Sequence, residues 1–285
     1  MPEHPTRGAL LISGASTGIG RACAEHLGNL GFTVFAGVRK QSDADSLRGA
    51  GSGRTQPLML DVTDTDSIVS TMRTVDEASP AGLVGLVNNA GVSAGGPLEF
   101  VALEEWRRAL EVNFIGQVAV TQAALPALRK ARGRIVNMTS IGGVLASPFL
   151  GPYNASKYAL EAVTDALRVE LRPFGIEVAA VEPGAVATPI WEKSRATAEQ
   201  AMANMPSDAL KLYGAGFAAI PKFISEGERL GVPPLEVARA VEHALTARRP
   251  KTRYVVGRDA KMRLLLTRLL PTRVMDRVVV RAMGL

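Results

Sequence analysis

One octapeptide constrains this chain more than any other segment. Ser13-Gly14-Ala15-Ser16-Thr17-Gly18-Ile19-Gly20 lies directly between a short apolar run, Ala9–Ser13, and an amphipathic stripe, Ile19, Cys23, Leu27 and Leu30, spaced for one helix face. Glycines between a strand and a helix permit a tight turn. They also let an anion approach the helix N-terminus, where free N–H groups and the helix dipole favour negative charge. The spacing is Gly-x-x-x-Gly-x-Gly, a variant of the commonest dinucleotide fingerprint.

The rest of the chain repeats the strand–helix rhythm. Apolar runs at Phe32–Val38, Pro57–Leu60, Leu83–Val87, Arg134–Met138, Glu177–Val181 and Arg253–Val256 read as further strands. Helical patterns lie between them, the longest at Leu103–Leu128, ended by Pro126, and at Tyr153–Arg172. Asp64 or Asp66 is positioned to cap the helix after the third strand. Gly49–Gly53 reads as a surface turn. Alternation of this kind predicts an α/β fold, a doubly wound Rossmann-type parallel sheet of about seven strands with helices on both faces. Residues 1–257 are expected to form that single domain, with 189–232 inserted as a lid. Residues 258–285 are expected to form a basic, helical C-terminal extension split by Pro271.

Composition excludes several classes. At 47% apolar and 21% charged residues, the chain of 285 can bury a large core. A single cysteine excludes an internal disulfide framework, and Cys23 falls on the apolar stripe as a small core residue. His4, His26 and His243 lack metal-ligand spacing and read as surface or helix-flank residues. The polar N-terminus is no signal peptide, and no run of about 18 apolar residues exists to span a bilayer, so a cytoplasmic protein is the expectation. The net charge of +6 is concentrated. Residues 248–285 hold eleven Lys/Arg against Asp259 and Asp276, leaving the other 247 residues slightly acidic. That basic stretch lacks interleaved aromatics or a reader motif, which argues against nucleic acid. Two readings of 258–283 remain open: a peripheral anchor to anionic membranes, or a pair of helices packed over the lid or a subunit interface with arginines reaching water.

The second chemical signal is Tyr153-Asn154-Ala155-Ser156-Lys157. A spacing of four puts Tyr153 and Lys157 on one helix face. A free phenol, with a pKa of about 10, is a poor base near neutrality, and an adjacent ammonium favours its phenolate. Such a pair suits proton exchange with an alcohol oxygen.

With these residues in order, the chain resembles the short-chain dehydrogenase/reductase family over roughly residues 8–257. Asn88-Asn89-Ala90-Gly91 follows the fourth strand, Ser140 ends the fifth, thirteen residues before Tyr153, and Asn113 sits on the long helix. Pro183-Gly184 follows the sixth strand, with Val186 and Thr188 beyond. The resemblance implies that Tyr153 is the general acid in carbonyl reduction and the base in alcohol oxidation. It implies that Lys157 binds the nicotinamide ribose, Ser140 holds the substrate oxygen, and Asn113 positions a water in a proton relay. By the same resemblance the cofactor contacts Gly14, Ser16, Thr17, Gly18, Ile19, Gly20, Asp61, Val62, Asn89, Ala90, Gly91, Tyr153, Lys157, Pro183, Gly184, Val186 and Thr188. Asp61 would meet the adenine edge, or serve only as a helix cap. NAD-selective members carry an acid at the end of the second strand. Here Val38 is followed by Arg39, whose guanidinium suits a 2′-phosphate, so NADP is favoured over NAD.

The region 189–232 closes over substrate in that family. Ile190, Trp191, Met202, Met205, Leu212, Tyr213, Phe217, Ile220 and Phe223 would make it apolar, which implies a lipophilic substrate such as a steroid, retinoid or acyl compound. With Gly37-Val38-Arg39 and the C-terminal extension, the chain looks most like the 17β-hydroxysteroid/retinol dehydrogenase branch. The resemblance also implies a homodimer or homotetramer joined through helices 103–128 and 153–172. A competing reading is a catalytically silent NADP-binding regulator on the same fold.

Overall fold

The central strands are buried on both faces, and this decides where they lie. A computed structural model describes residues 7–48, 53–203 and 205–283. Among these, β1 (Ala9–Ile12), β2 (Thr33–Val38), β3 (Thr55–Met59), β4 (Leu83–Asn88), β5 (Arg134–Met138), β6 (Glu177–Pro183) and β7 (Arg253–Val256) form one sheet in the order β3-β2-β1-β4-β5-β6-β7. Every neighbouring pair is parallel. A parallel sheet needs helical crossovers and therefore cover on both faces.

The helices supply it: α1 (Gly18–Asn29), α2 (Gln41–Arg48), α3 (Thr65–Ala78), α4 (Leu103–Leu110), α5 (Gly116–Ala131), α6 (Gly151–Glu170), α7 (Ile190–Ala203), α8 (Ser207–Leu230), α9 (Pro234–Thr246), α10 (Arg258–Leu269) and α11 (Thr272–Met283). Leu10 and Ile12 of β1 point to one face and pack with Cys23 and Leu27 of α1 and Val237 and Val241 of α9. Ala9 and Leu11 point to the other, against Ile68 and Met72 of α3 and Val120 and Leu128 of α5. Each such fully buried Leu or Ile contributes about 1.5–3 kcal/mol by leaving water. Cys23 is a core residue as expected, and burial pushes its thiol up to about 12, so it is an inert packing group.

Most expected boundaries hold to within two residues; one does not. The single helix expected over Leu103–Leu128 is two helices, α4 and α5, joined by a π-turn at Glu111–Ile115. Pro126 does not end α5, which runs on to Ala131 and stops where Arg132 turns left-handed (φ 49). A proline removes one helical donor. The burial of Ala124, Ala127 and Leu128 holds the helix together around it. Asp64, rather than Asp66, caps α3, accepting from the N–H groups of Asp66 and Ser67. His26 pairs with Glu242 and His243 with Tyr254. His4 and most of the Gly49–Gly53 turn lie outside the described residues.

The chain order reverses between β1 and β4, and the loops leaving the carboxyl ends of these two strands open a crevice there. Both glycine turn and Asn88–Gly91 loop sit at that point.

Candidate active site

Construction of the crevice begins with the glycine turn. Gly14 (φ +66) lies so close to the next loop that an added Cβ would come within 2.6 Å of Ala90 Cα. At Gly20 a Cβ would stand 2.2 Å from the Gly14 carbonyl oxygen. Asn89 clamps the turn from the side, its Nδ2 donating to the carbonyls of Ser13 (3.1 Å) and Gly14 (2.9 Å). Thr17 precedes α1 in extended conformation and gives it no side-chain cap, and the first turn holds no acid. The leading amides are thus left to an external acceptor, unlike those of α3, which Asp64 satisfies. Thr188 reaches this turn from the far side, 3.2 Å from where a Gly18 Cβ would be. Along the same turn Thr17 is exposed, and Ser16 and Ile19 are partly buried.

At the end of β2, Arg39 is exposed beside Asp61. Burial pushes the Asp61 carboxyl up, but hydrogen bonds from Thr63 and the Arg39 charge outweigh this and hold it below the usual range. Val62 is buried against Gly116. Uncapped amides, a glycine cradle, and a guanidinium with no carboxylate at Val38 fit a dinucleotide phosphate chain and a ribose phosphate.

Tyr153, the expected proton-exchanging residue, belongs to a second group of side chains. The Tyr153 hydroxyl is hydrogen-bonded to the Ser140 side chain, which also accepts from the Gly142 N–H (3.0 Å) and lies 3.5 Å from the Pro183 carbonyl. Ser140 is two residues past the end of β5, not at its last residue, and opens the short turn Ile141–Gly143. Lys157 is buried one turn along α6 from Tyr153, its Nζ 5.9 Å from the phenol ring and donating to the Met138 carbonyl at 2.8 Å.

The expectation that Lys157 depresses the tyrosine needs correction for the chain alone. Burial raises the Tyr153 phenol, and the opposing hydrogen bond comes from Ser140. Lys157 itself is lowered to about 8 by burial, against the pull of Glu161. Asn113 sits in the π-turn with its side chain committed to the protein. Oδ1 accepts from Val92 N–H (2.7 Å), and Nδ2 donates to Val92 O and Ser156 Oγ (3.0 Å each). It locks the Gly91–Val92 loop to the helix turn between Tyr153 and Lys157. Gly91 lies against both Asn113 and Lys157.

A buried ladder that the motifs did not signal carries these loops. Ser13 Oγ accepts from the N–H groups of Asn89 (3.0 Å) and Ala90 (3.1 Å) and donates to Gln117 (3.3 Å). Gln117 in turn donates to Ala90 O, and its own carbonyl accepts from Thr121. Asn88 donates to Thr121 (2.8 Å) and Asn137 (2.9 Å), and Asn137 to Thr164 on α6 (2.8 Å). The one sequence signal was a polar residue, Asn137, inside the apolar strand run Arg134–Met138.

Over the site lie α7 and α8. Phe217 is buried beside Phe149 at 6.4 Å between ring centres, and Met205 approaches Gly96. Trp191 Nε1 donates to Val186 O (2.7 Å), and Tyr213 donates to Glu99 at the rim (2.8 Å). Ile190 and Leu212 are exposed. The Phe223 side chain lies outside the described residues.

Fold and site together define a nicotinamide-linked oxidoreductase of the alcohol/carbonyl class. The short chain dehydrogenase family profile matches residues 9–199. Over 279 residues the chain is 39% identical to human (Homo sapiens) retinol dehydrogenase 5, covering 95% of this chain and 87% of that protein. It is 39% identical over 280 residues to bovine (Bos taurus) 17-beta-hydroxysteroid dehydrogenase type 6, covering 96% and 88%. Among solved structures, a variant of actinorhodin polyketide ketoreductase with NADPH superposes with a TM-score of 0.72 at 30% identity, over 88% of this chain and 96% of that one. The chain belongs to the short-chain dehydrogenase/reductase family and is similar to its retinol and 17β-hydroxysteroid dehydrogenases.

Proposed function

We propose that this protein transfers a hydride between NADP(H) and the alcohol or carbonyl of a lipophilic substrate, with Tyr153 as the proton-exchanging group. The observation that carries the reading is the Tyr153–Ser140 hydrogen bond, placed beside buried Lys157 and across the crevice from an uncapped glycine turn. When bound, the cofactor supplies or accepts the hydride at its nicotinamide ring.

The chain's own residues do the rest. The Ser140 hydroxyl donates to the substrate oxygen, where negative charge grows during reduction. Tyr153 passes its phenolic proton to that oxygen, or takes one in the reverse direction. Lys157, titrating near 8, holds a replacement proton close to the operating pH and binds the ribose hydroxyls. Asn113 fixes the loop on which Gly91 borders the cofactor. Arg39 pairs with a 2′-phosphate, a role supported by its exposure and by the apolar Val38 before it.

A lipophilic substrate is supported by Phe217 of the lid packed beside Phe149 and by the names of the relatives above. Self-assembly through α4, α5 and α6 is supported by exposed Leu103 on α4, Ile115 in the π-turn before α5, and Tyr158 and Val169 on α6. In the C-terminal pair, Met275 of α11 is buried and α11 rests on α8, which supports a role as cover. None of the helices among the described residues is long and apolar enough to cross a membrane.

The test is consumption of NADPH and NADH by purified protein, with ketosteroids, retinal, acyl ketones and small polar carbonyls. Turnover of a lipophilic carbonyl with NADPH is expected, and Tyr153→Phe should reduce kcat by about 10³-fold or more while leaving NADPH affinity unchanged. Preference for NADH would show that Arg39 reads no phosphate. Faster turnover of compact polar carbonyls would overturn the lipophilic substrate.

A further inference from the structure

The segment leaving β6, Pro183–Thr188, runs between the Ser140 hydroxyl and the glycine turn, and it is pinned from one unexpected direction. Its Ala185 carbonyl accepts from Val232 N–H (3.0 Å), and the Ala187 N–H donates to Val232 O (2.9 Å). The Ala185 N–H, however, donates to the carboxylate of Asp259 at 2.9 Å. Asp259 lies in the first turn of α10, in the extension and not in the sheet.

Two glycines make room for this carboxylate. A Cβ on Gly184 would stand 2.3 Å from Asp259 Oδ2 and 2.4 Å from Oδ1, with no other group nearer. A Cβ on Gly257 would stand 2.5 Å from Oδ1, and Gly257 itself adopts φ +104, which a side chain disfavours. The Gly184 N–H is held in turn by Val256 O at the end of β7 (2.9 Å). An amide bonded to a carboxylate is roughly twice as strong as one bonded to a neutral acceptor. The start of the extension is therefore built around the backbone of the Pro183–Thr188 segment.

We propose that Asp259 is a positioning residue that sets the Pro183–Thr188 segment against bound NADP(H), so that the C-terminal extension takes part in cofactor binding. This rests on the reading above, in which that segment faces the nicotinamide. Asp259 touches neither cofactor nor substrate; it acts through the Ala185 amide.

The experiment is a fluorescence titration of the full-length protein with NADPH, paired with KM for NADPH and for retinal, in Asp259→Ala, Asp259→Asn, Gly184→Ala and the Gly184→Ala/Asp259→Ala double variant. Asp259→Ala is expected to raise both Kd and KM for NADPH about tenfold, the size of a lost charge-assisted hydrogen bond, with KM for retinal within about twofold. Asp259→Asn keeps an amide-accepting oxygen in place and should stay within about threefold of wild type. Gly184→Ala should resemble Asp259→Ala, and in the double variant it should add nothing, because the atoms it collides with are gone. Should Asp259→Ala be insoluble, the Asn and Gly184→Ala variants decide by the same readouts. Unchanged NADPH affinity with only a lower thermal midpoint would overturn the proposal and leave Asp259 as a helix-start residue. Wild-type protein that binds no NADPH would overturn the underlying reading, a result distinct from a wild type that binds and an Asp259→Ala variant that binds equally well.

Discussion

The floor and the roof of this site are built on opposite principles. The floor is a buried polar ladder, Ser13–Gln117 and Asn88–Asn137–Thr164, in which side chain is bonded to side chain across β1, β4, β5, α5 and α6. The roof, α7 and α8, meets the site largely through Phe217, Met205 and Trp191 and is tied down at a few polar points. Hydrogen bonds have direction and fix loops to a fraction of an ångström, as proton transfer requires. Apolar contact has none, so under the function proposed above the same surface would accept hydrophobic substrates of different shape. On that reading, catalytic geometry and substrate tolerance are held by different forces in adjoining layers.

Breaking the floor should cost most. Asn137→Ala removes one of the two acceptors of the Asn88 amide and the donor to Thr164, and a loss of about 2–4 kcal/mol in denaturant-measured stability is expected, with kcat falling as α6 loses one of its ties to the sheet. A shift under 1 kcal/mol would mean the ladder is not what holds the floor.

A buried charge cluster belongs to the same sheet. At the β6–β7 edge, Glu182 is buried beside Glu161 and Arg253, and burial together with the Glu161 charge raises it to about 7. A carboxyl raised in the folded state binds its proton more tightly than in the unfolded chain. Its stability contribution is therefore full below about pH 4.5 and is lost as pH rises through about 7. Glu182→Gln should flatten that slope and stabilise the protein at pH 8 relative to wild type. Thermal midpoints measured from pH 4.5 to 8 check this, and parallel curves for the two proteins would refute it.

The roof should respond least in stability and most in selectivity. Phe217→Leu trims a buried ring against Phe149 and is expected to cost about 1 kcal/mol. It should raise KM for a bulky lipophilic carbonyl several-fold and leave a small polar one unchanged. Equal effects on both substrates would erase the division of labour between the two layers.

The strand–turn–helix at Ala9–Gly20 and the Tyr153/Lys157 spacing were legible because each is local: φ freedom at glycine and the helical repeat depend on a few neighbouring residues. The broken helix at Glu111–Ile115 was not, since a π-turn saves no obvious residue type and is held by Asn113 bonding to Val92, twenty-one residues away. Nor was the ladder, whose rungs span sequence separations of 33, 49 and 104 residues. Burial within the lid was not legible either: Phe217 is buried while Ile190 and Leu212 are exposed, because a hydrophobic side chain states its preference for burial but not which face of its helix finds cover.

By itself, then, the sequence determined the parallel α/β architecture and the family, because hydrophobic period, glycine placement and motif order are properties of short segments. Only the tertiary structure decided that Lys157 is lowered to about 8 while Tyr153 is raised, that Asn113 is a lock between loop and helix, and that Asp259 of the tail grips the Ala185 amide. Desolvation and hydrogen-bond partnership depend on which distant segments close around a group, and they come into being only when the chain has folded.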